Sequence, residues 1–461
     1  MAEIAADICI IGAGSGGLSV AAGAAQMGAR VVLIEGHKMG GDCLNYGCVP
    51  SKALLAAGKA ADARGAPGDY TAAMERVAEV ISTIAPVDSQ ERFEGFGVRV
   101  IRDWGRFAGP RTVEAGGDTI TARRFVIATG SSPLVPPIPG LDGVPYLTNE
   151  TLFDLRMPPA HLVIIGGGPI GIEMAQAHLR LGCRVTVIEG DRALGRDDPD
   201  AAAVVLDALR AEGLSLLEGA KAVSIAAEGE GITVRTTKGD VTGSHLLVAV
   251  GRRVNLDRLN LEAAGVAHDR KGVTVGPNLR STTNRRVYAV GDAAGGLMFT
   301  HVAGYHAGIV VRQALFGLPA RARTDAIPRA TYTDPELAQV GLAEAEARKT
   351  HGARLTVLRQ EMQHNDRAIA EGKTAGFLKL MVVGGRPVGA TIVGAGAGDL
   401  IGLWTLAISA RLKVSAVAGT VLPYPSLGEI NKRAAGAYFA PRLFESVMVK
   451  RVVRSIQRWL P

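Results

Sequence analysis

Residues 8–36, ICIIGAGSGGLSVAAGAAQMGARVVLIEG, recur at 162–190 as LVIIGGGPIGIEMAQAHLRLGCRVTVIEG, each position matched 154 residues further on. Gly12, Gly14, Gly17 and Glu35 thereby become Gly166, Gly168, Gly171 and Glu189. In each copy four apolar residues lead into the glycines, an amphipathic stretch follows, and a second apolar run ends in glutamate. That pattern is a strand, a tight turn, a helix and a returning parallel strand. A lone GxGxxG would be weak, because Gly-rich turns are common. Two copies in full βαβ context predict an α/β chain with two Rossmann-like dinucleotide-binding domains.

Each glycine has a mechanical reason. The first makes the turn, the second lets backbone approach a pyrophosphate, and the third lets helix pack closely on strand. The helix start then offers free amides and a positive dipole end to the phosphates. Glu35 and Glu189 fall where a carboxylate can accept both hydroxyls of an adenosine ribose. At Glu189 this favours NADH, since a 2′-phosphate would meet a like charge, although Arg192 could soften the preference.

At 461 residues the chain has room for roughly three domains at about 150 residues each. With 47% apolar and 21% charged residues it is globular in composition. The net charge is +7, but the basic residues are scattered and aromatics make up only 5%, which argues against a nucleic-acid-binding stripe. No run of some twenty apolar residues is present, and MAEIAADICIIGAG enters a strand-like run without a charged leader. The expectation is a cytoplasmic protein, where structural disulfides are rare. Between the copies, Phe125–Gly140 reads as a buried strand and a Gly/Pro-rich crossover, placing a boundary near Asn149. HLLVAVGRRVN at 245–255 closes the second unit. In VYAVGDAAGG, Asp292 either caps a helix start or bonds a cofactor hydroxyl, and the second is preferred beside two nucleotide sites.

Of four cysteines, Cys43 and Cys48 stand five apart in GDCLNYGCVPSK. Cys9 and Cys183 read as buried thiols, and the same reading is open for the pair. Zinc is weaker, with only His37 and Asp42 nearby as further ligands. In a regular helix the two Cα atoms would lie about 8–9 Å apart, beyond the roughly 7 Å limit for bridging. A bend is therefore needed, and Gly47 with Pro50 supplies it. Cys48 then opens the helix VPSKALLAAGKAA, where a thiolate is favoured.

GDCLNYGCVPSKALL resembles the redox-disulfide helix of the flavoprotein pyridine nucleotide-disulfide oxidoreductases, the family of dihydrolipoamide dehydrogenase, glutathione reductase and mercuric reductase. The likeness spans nearly the whole chain: GAGSGG with Glu35, ATG at 128–130, GGGPIG with Glu189, GRRVN at 251–255, AVGD with Asp292, and YTDPELAQVGL at 332–342. It implies an FAD domain over 1–150 and 276–325, an NAD domain over 151–275, and a C-terminal α+β dimerisation domain over 326–461. The FAD-binding residues implied are Gly12, Gly14, Gly17, Glu35, Lys52, Thr129, Gly130, Asp292, Thr300 and His301. Those for NAD(H) are Gly166, Gly168, Gly171, Glu189 and Gly251. It further implies a Cys43–Cys48 redox disulfide with Cys48 toward the flavin and Cys43 toward substrate. Lys52 would pair with Glu173, which replaces Ser19 of the first copy. Electrons would pass from NADH through FAD to this pair and on to a thiol/disulfide substrate. No resident metal is implied.

Two departures matter. Disulfide-reducing members carry His-Pro-Thr with a Glu five residues after the His, donated from the partner of a homodimer. Here PYPSLGE puts Tyr424 in the His position and keeps Glu429. A phenol, with pKa near 10, is a poorer base at neutral pH than an imidazole near 6.5. Mercuric reductases share the Tyr but bring a C-terminal cysteine pair, which is missing here. A reductase of a metal ion or small oxidant is thus the rival reading, and a non-enzymatic flavin-binding redox sensor is the rival of another class. HNDRAIAEG at 364–372 resembles mercuric-reductase-like homologues, and His364 is given no role. Lastly, VMVKRVVRSIQRWLP sets Val449, Val452, Val453, Ile456 and Leu460 against Lys450, Arg451, Arg454 and Arg458. That pattern suits a helix docked on the dimer or a peripheral contact with an anionic membrane.

Overall fold

The computed structural model describes residues 2–229 and 231–460. Two compact units emerge, one of residues 1–190 and 216–323, the other of residues 191–215 and 324–461.

The first unit is organised by the two repeat copies. Glu3–Ile11 is a near-fully apolar strand that pairs in parallel with Val31–Ile34 on one side and Asp118–Ile127 on the other. Val287–Ala289, from far down the chain, pairs in parallel with Asp118–Ile127. Val31–Ile34 and the last residues of Glu3–Ile11 and Asp118–Ile127 are buried on both faces, which explains why those stretches read as continuous apolar runs, whereas the first halves of the two longer strands are partly exposed and carry polar residues. In the second copy His161–Ile165 lies between Arg184–Ile188 and His245–Val248, again all parallel.

The glycines do the same work twice. Gly12 has φ +107° and Gly166 has φ +115°, in the left-handed region that disfavours side chains. A Cβ there would meet the carbonyl oxygen of Ala128 at 2.3 Å, or of Ala249 at 2.4 Å. Gly17 and Gly171 lie so close to the turn that a Cβ would fall 1.9 Å from Gly12 O and 2.0 Å from Gly166 O. A Cβ on Gly14 or Gly168, in contrast, would meet nothing nearer than 3.8 Å. That leaves open space over each helix start.

The second unit is built on a five-stranded antiparallel sheet in the order 329–331, 336–341, 386–394, 377–383, 355–361. Its core includes Trp404, fully buried, whose indole N–H donates to Asn431 Oδ1 at 2.7 Å and so satisfies its one polar atom. Lys379 is buried in this unit among three carboxylates. Its Nζ lies 3.0 Å from Asp198, 2.7 Å from Asp200 and 2.9 Å from Glu344. Among the described residues no helix is long and apolar enough to cross a membrane.

Candidate active site

The cysteine segment folds as two helices with a break between them. Gly41–Asn45 carries Cys43, Tyr46 and Gly47 break the run, and Cys48–Asp62 begins at Cys48 itself. The bend falls at Tyr46–Gly47. Gly47 has an ordinary negative φ, so its glycine is required by crowding: a Cβ would sit 2.8 Å from Asp42 Oδ2 and 3.3 Å from the Cys43 Cα. Pro50 lies within the first turn, where its missing N–H removes no intrahelical bond.

Cys43 and Cys48 carry free thiols that hydrogen-bond to each other. Cys48 Sγ also lies 3.3 Å from Thr300 Oγ1, at the start of the helix Thr300–Phe316. That helix packs on Ser15–Gln26, where Gly16 lies close to Ala303, so the first nucleotide turn and Thr300 share one scaffold. The Cys48 thiol is acidified to about 6. The hydrogen bond from Cys43 is the main cause, with further help from Thr300 and the Lys52 ammonium against burial and the Asp42 charge. Cys43 moves the other way, pushed up first by its bond to Cys48 and then by burial. The shared proton thus favours Cys43, and the negative charge of the reduced pair favours Cys48.

Lys52, one turn further along the helix, places Nζ 2.7 Å from Glu173 Oε2, whose side chain is only 6% exposed. The geometry follows from close packing of Cys48–Asp62 on Pro169–Arg180, where Gly58 lies against Ala177 and Arg180. A charge inside the second nucleotide helix is therefore satisfied from the redox helix.

The nucleotide motifs close on themselves similarly. Ala13 N–H donates to Glu35 Oε2 at 2.6 Å, and Gly167 N–H to Glu189 Oε2 at 2.7 Å. Both carboxylates are thus held at the turns their ligands would occupy. The glycine cradles and these carboxylates fit two dinucleotides. Thr129 donates to Asn255 O at 2.6 Å, and Asn255 N–H donates to Gly130 O, tying the ATG loop to the segment after Gly251. Asp292 accepts from Ser131 at 2.5 Å and makes no capping bond; burial raises its pKa. His301 is exposed beside Phe299, whose ring it stacks on at 5.2 Å.

Tyr424 and Glu429 belong to the other compact unit. The Tyr424 hydroxyl donates to Asp366 Oδ2 at 2.7 Å, and Arg433 approaches the same carboxylate at 3.5 Å. Glu429 Oε2 is buried and has no hydrogen-bond partner among the described residues. Sequence reasoning missed Asp366, although HNDRAIAEG contained it. It gave Arg252 no role and weighed Asp42 only as a weak metal ligand, whereas the two form an ion pair of 3.0 Å that adjoins Cys43.

Two nucleotide cradles and an acidified dithiol define a dinucleotide-dependent dithiol oxidoreductase. Residues 6–307 match the model of the pyridine nucleotide-disulphide oxidoreductases, and residues 327–435 match the dimerisation domain of the same family. The chain is 35% identical over 458 residues to a mercuric reductase of Streptomyces lividans, covering 94% of this chain and 96% of that one. It is 34% identical to a mercuric reductase of Bacillus cereus, covering 93% of this chain and 70% of that one. Among solved structures it resembles the Cu(II) complex of the HOCl-induced flavoprotein disulfide reductase RclA from Escherichia coli, with TM-score 0.86, 29% identity, and 93% and 99% coverage. It also resembles LpdA from Mycobacterium tuberculosis, with TM-score 0.86, 28% identity, and 95% and 100% coverage. The protein belongs to the pyridine nucleotide-disulphide oxidoreductase family, enzymes that use FAD and NAD(P)H, and its second domain supports a homodimer.

Proposed function

We propose that the protein is a cytoplasmic NADH:disulfide oxidoreductase of the dihydrolipoamide dehydrogenase type. The observation that carries this reading is the facing thiol pair of Cys43 and Cys48, with Thr300 Oγ1 3.3 Å from Cys48 and Lys52 one turn along the same helix; the lowered pKa of Cys48 agrees with it. Bound FAD would relay the two electrons of NADH to the Cys43–Cys48 pair. Residues 1–150 and 276–325 are assigned to FAD, 151–275 to NAD(H), and 326–461 to dimerisation. Gly12, Gly14, Gly17, Glu35, Lys52, Thr129, Gly130, Asp292, Thr300 and His301 would hold FAD. Gly166, Gly168, Gly171, Glu189 and Gly251 would hold NAD(H). Cys43 then passes its proton to the Cys48 thiolate and attacks a substrate disulfide: its sulfur bonds to one substrate sulfur, and the other leaves as a thiolate that takes that proton from Cys48. Attack by Cys48 on this mixed disulfide expels the second thiolate and restores the protein disulfide.

Tyr424 and Glu429 are assigned to act in trans. The Asp366 carboxylate raises the Tyr424 pKa, chiefly through their hydrogen bond. Tyr424 thus stays protonated as a hydrogen-bond donor, which suits stabilising a departing thiolate more than deprotonating a dithiol. A second reading, reduction of a metal ion, is supported by the names of the mercuric reductases and the copper complex of RclA, together with Tyr424. In an anaerobic NADH titration, long-wavelength thiolate-to-flavin absorbance is expected, and an unchanged yellow spectrum would overturn the oxidoreductase reading in favour of a sensor. With dihydrolipoamide, lipoamide, glutathione disulfide and mercuric ion as substrates, Tyr424→His is expected to raise dihydrolipoamide oxidation at neutral pH about a hundred-fold, the lower end of what a general base contributes. No gain would remove Tyr424 from the substrate site.

For the C-terminal tail the proposal is a weak peripheral contact with an anionic membrane. The helix Val447–Gln457 is without a buried residue. Met448, Val452, Val453 and Ile456 share one face, opposite Lys450, Arg451, Arg454 and Arg458, and no acidic residue follows Glu445 to offset them. Full-length protein should sediment with phosphatidylglycerol vesicles at low salt and be released by high salt. Equal sedimentation of a chain truncated at Phe444 would count against it.

A further inference from the structure

Beside Cys43 the structure carries an ionic chain that the redox chemistry outlined so far does not use. Asp42 Oδ1 lies 3.0 Å from an Arg252 guanidinium nitrogen and accepts from Asn149 Nδ2 at 3.1 Å. Asn149 also donates to Tyr46 O at 3.2 Å, at the break between the two cysteine helices. Arg252 continues the chain through its Nε to Ser131 Oγ at 2.7 Å, and Ser131 donates to Asp292 at 2.5 Å. Arg252 is only 14% exposed in its side chain and Asp42 34%, so solvent screens the pair weakly. The other Asp42 oxygen faces Gly47, where a Cβ would fall 2.8 Å from it, so glycine at 47 is what lets the carboxylate lie against the break between the two helices.

We propose that Asp42 and Arg252 are positioning residues for the dithiol. Their ion pair anchors the loop carrying Cys43 to the segment after Gly251, and balances the charge beside Cys48. The inference rests on the redox reading of the cysteine pair and adds to it an electrostatic control that GDC, with an acid next to the first cysteine, brings into this chain.

The charged and titratable groups around Cys48 are few. Cys43 and Asp42 come from the preceding helix and Lys52 from its own; Glu173 acts through Lys52, and Thr300 supplies a neutral hydroxyl. Asp42 is the member that opposes the thiolate, and Arg252 is the cation that offsets it. Removing the acid and removing the base must therefore move Cys48 in opposite directions, whereas loss of a merely structural contact would move both variants the same way.

The test uses FAD-loaded Cys43→Ser protein, so that Cys48 is the reactive thiol, Cys9 and Cys183 being buried. The pH midpoint of Cys48 is read by iodoacetamide alkylation rate and by long-wavelength charge-transfer absorbance. Asp42→Asn, which keeps an oxygen for Asn149, should lower the midpoint by on the order of one pH unit. Arg252→Gln should raise it by a similar amount. Midpoints that do not move, or that move together, overturn the proposal. If Arg252→Gln loses FAD, the Asp42→Asn midpoint decides alone, a fall supporting the proposal and anything else sinking it. Absence of the charge-transfer absorbance in FAD-loaded Cys43→Ser protein with Asp42 intact would instead strike at the redox reading, and the alkylation midpoints would still judge the ion pair.

Discussion

Cys43→Ser is expected to lose NADH-driven disulfide reduction by at least about a thousand-fold, the scale of removing a covalent nucleophile. NADH should still bleach the flavin absorbance. The two effects separate because the two sulfurs have separate duties. Cys43 keeps the shared proton, and its sulfur is the atom assigned to the substrate. Cys48 keeps the negative charge and the contact with Thr300. A serine hydroxyl at position 43 can still donate to Cys48, so the thiolate survives while the bond to substrate sulfur cannot form. Wild-type turnover in this variant would remove the dithiol from the reaction altogether.

The largest loss of stability is expected from Lys379→Met, about 3–5 kcal/mol, the range for breaking a buried ion pair from one side. Met matches the lysine stem in volume but leaves Asp198, 1% exposed, without its cation. Burial by itself would lower the Lys379 pKa, yet the bonds to Asp200, Glu344 and Asp198 outweigh it and raise the value. A raised lysine contributes its stability at all pH values below the ordinary lysine range, so alkali matters little. Asp200 is depressed mainly by its bond to Lys379, and Glu344 is depressed by Lys379 and Arg348 in spite of burial. Depressed carboxylates contribute above their unfolded values and lose that contribution as pH falls through the folded ones. Wild-type stability should therefore drop below about pH 4, and this acid dependence should be weaker in Lys379→Met. Urea unfolding at pH 7 and pH 3 measures both. An unchanged midpoint at pH 7 would show that the quartet is not held together by its lysine.

The features legible in the sequence are those that act over a few residues. Gly12 and Gly166 are needed because the turn takes φ positive and the next strand's carbonyl stands where a Cβ would go, and both constraints repeat with the motif. The need for a bend between Cys43 and Cys48 follows from helix geometry alone, although the chain places it at Tyr46–Gly47 with Pro50 already inside the helix. Glu173 was conspicuous as a charge where the first copy has Ser19, and Lys52 was in place to meet it. Asp366 gave no such signal, since an acid in a polar loop is ordinary until Tyr424 is seen to rest on it.

Backbone shape and its period are written into neighbouring residues, because sterics and hydrogen-bond geometry are local, and the sequence alone therefore determined two nucleotide-binding turns and a poised cysteine pair. Which side chain neutralises which charge depends on how helices and loops far apart in the chain are packed. The tertiary structure alone decided that Thr300 faces Cys48, that Arg252 holds Asp42, and that Tyr424 answers to Asp366 while Glu429 keeps a buried oxygen unpartnered among the described residues.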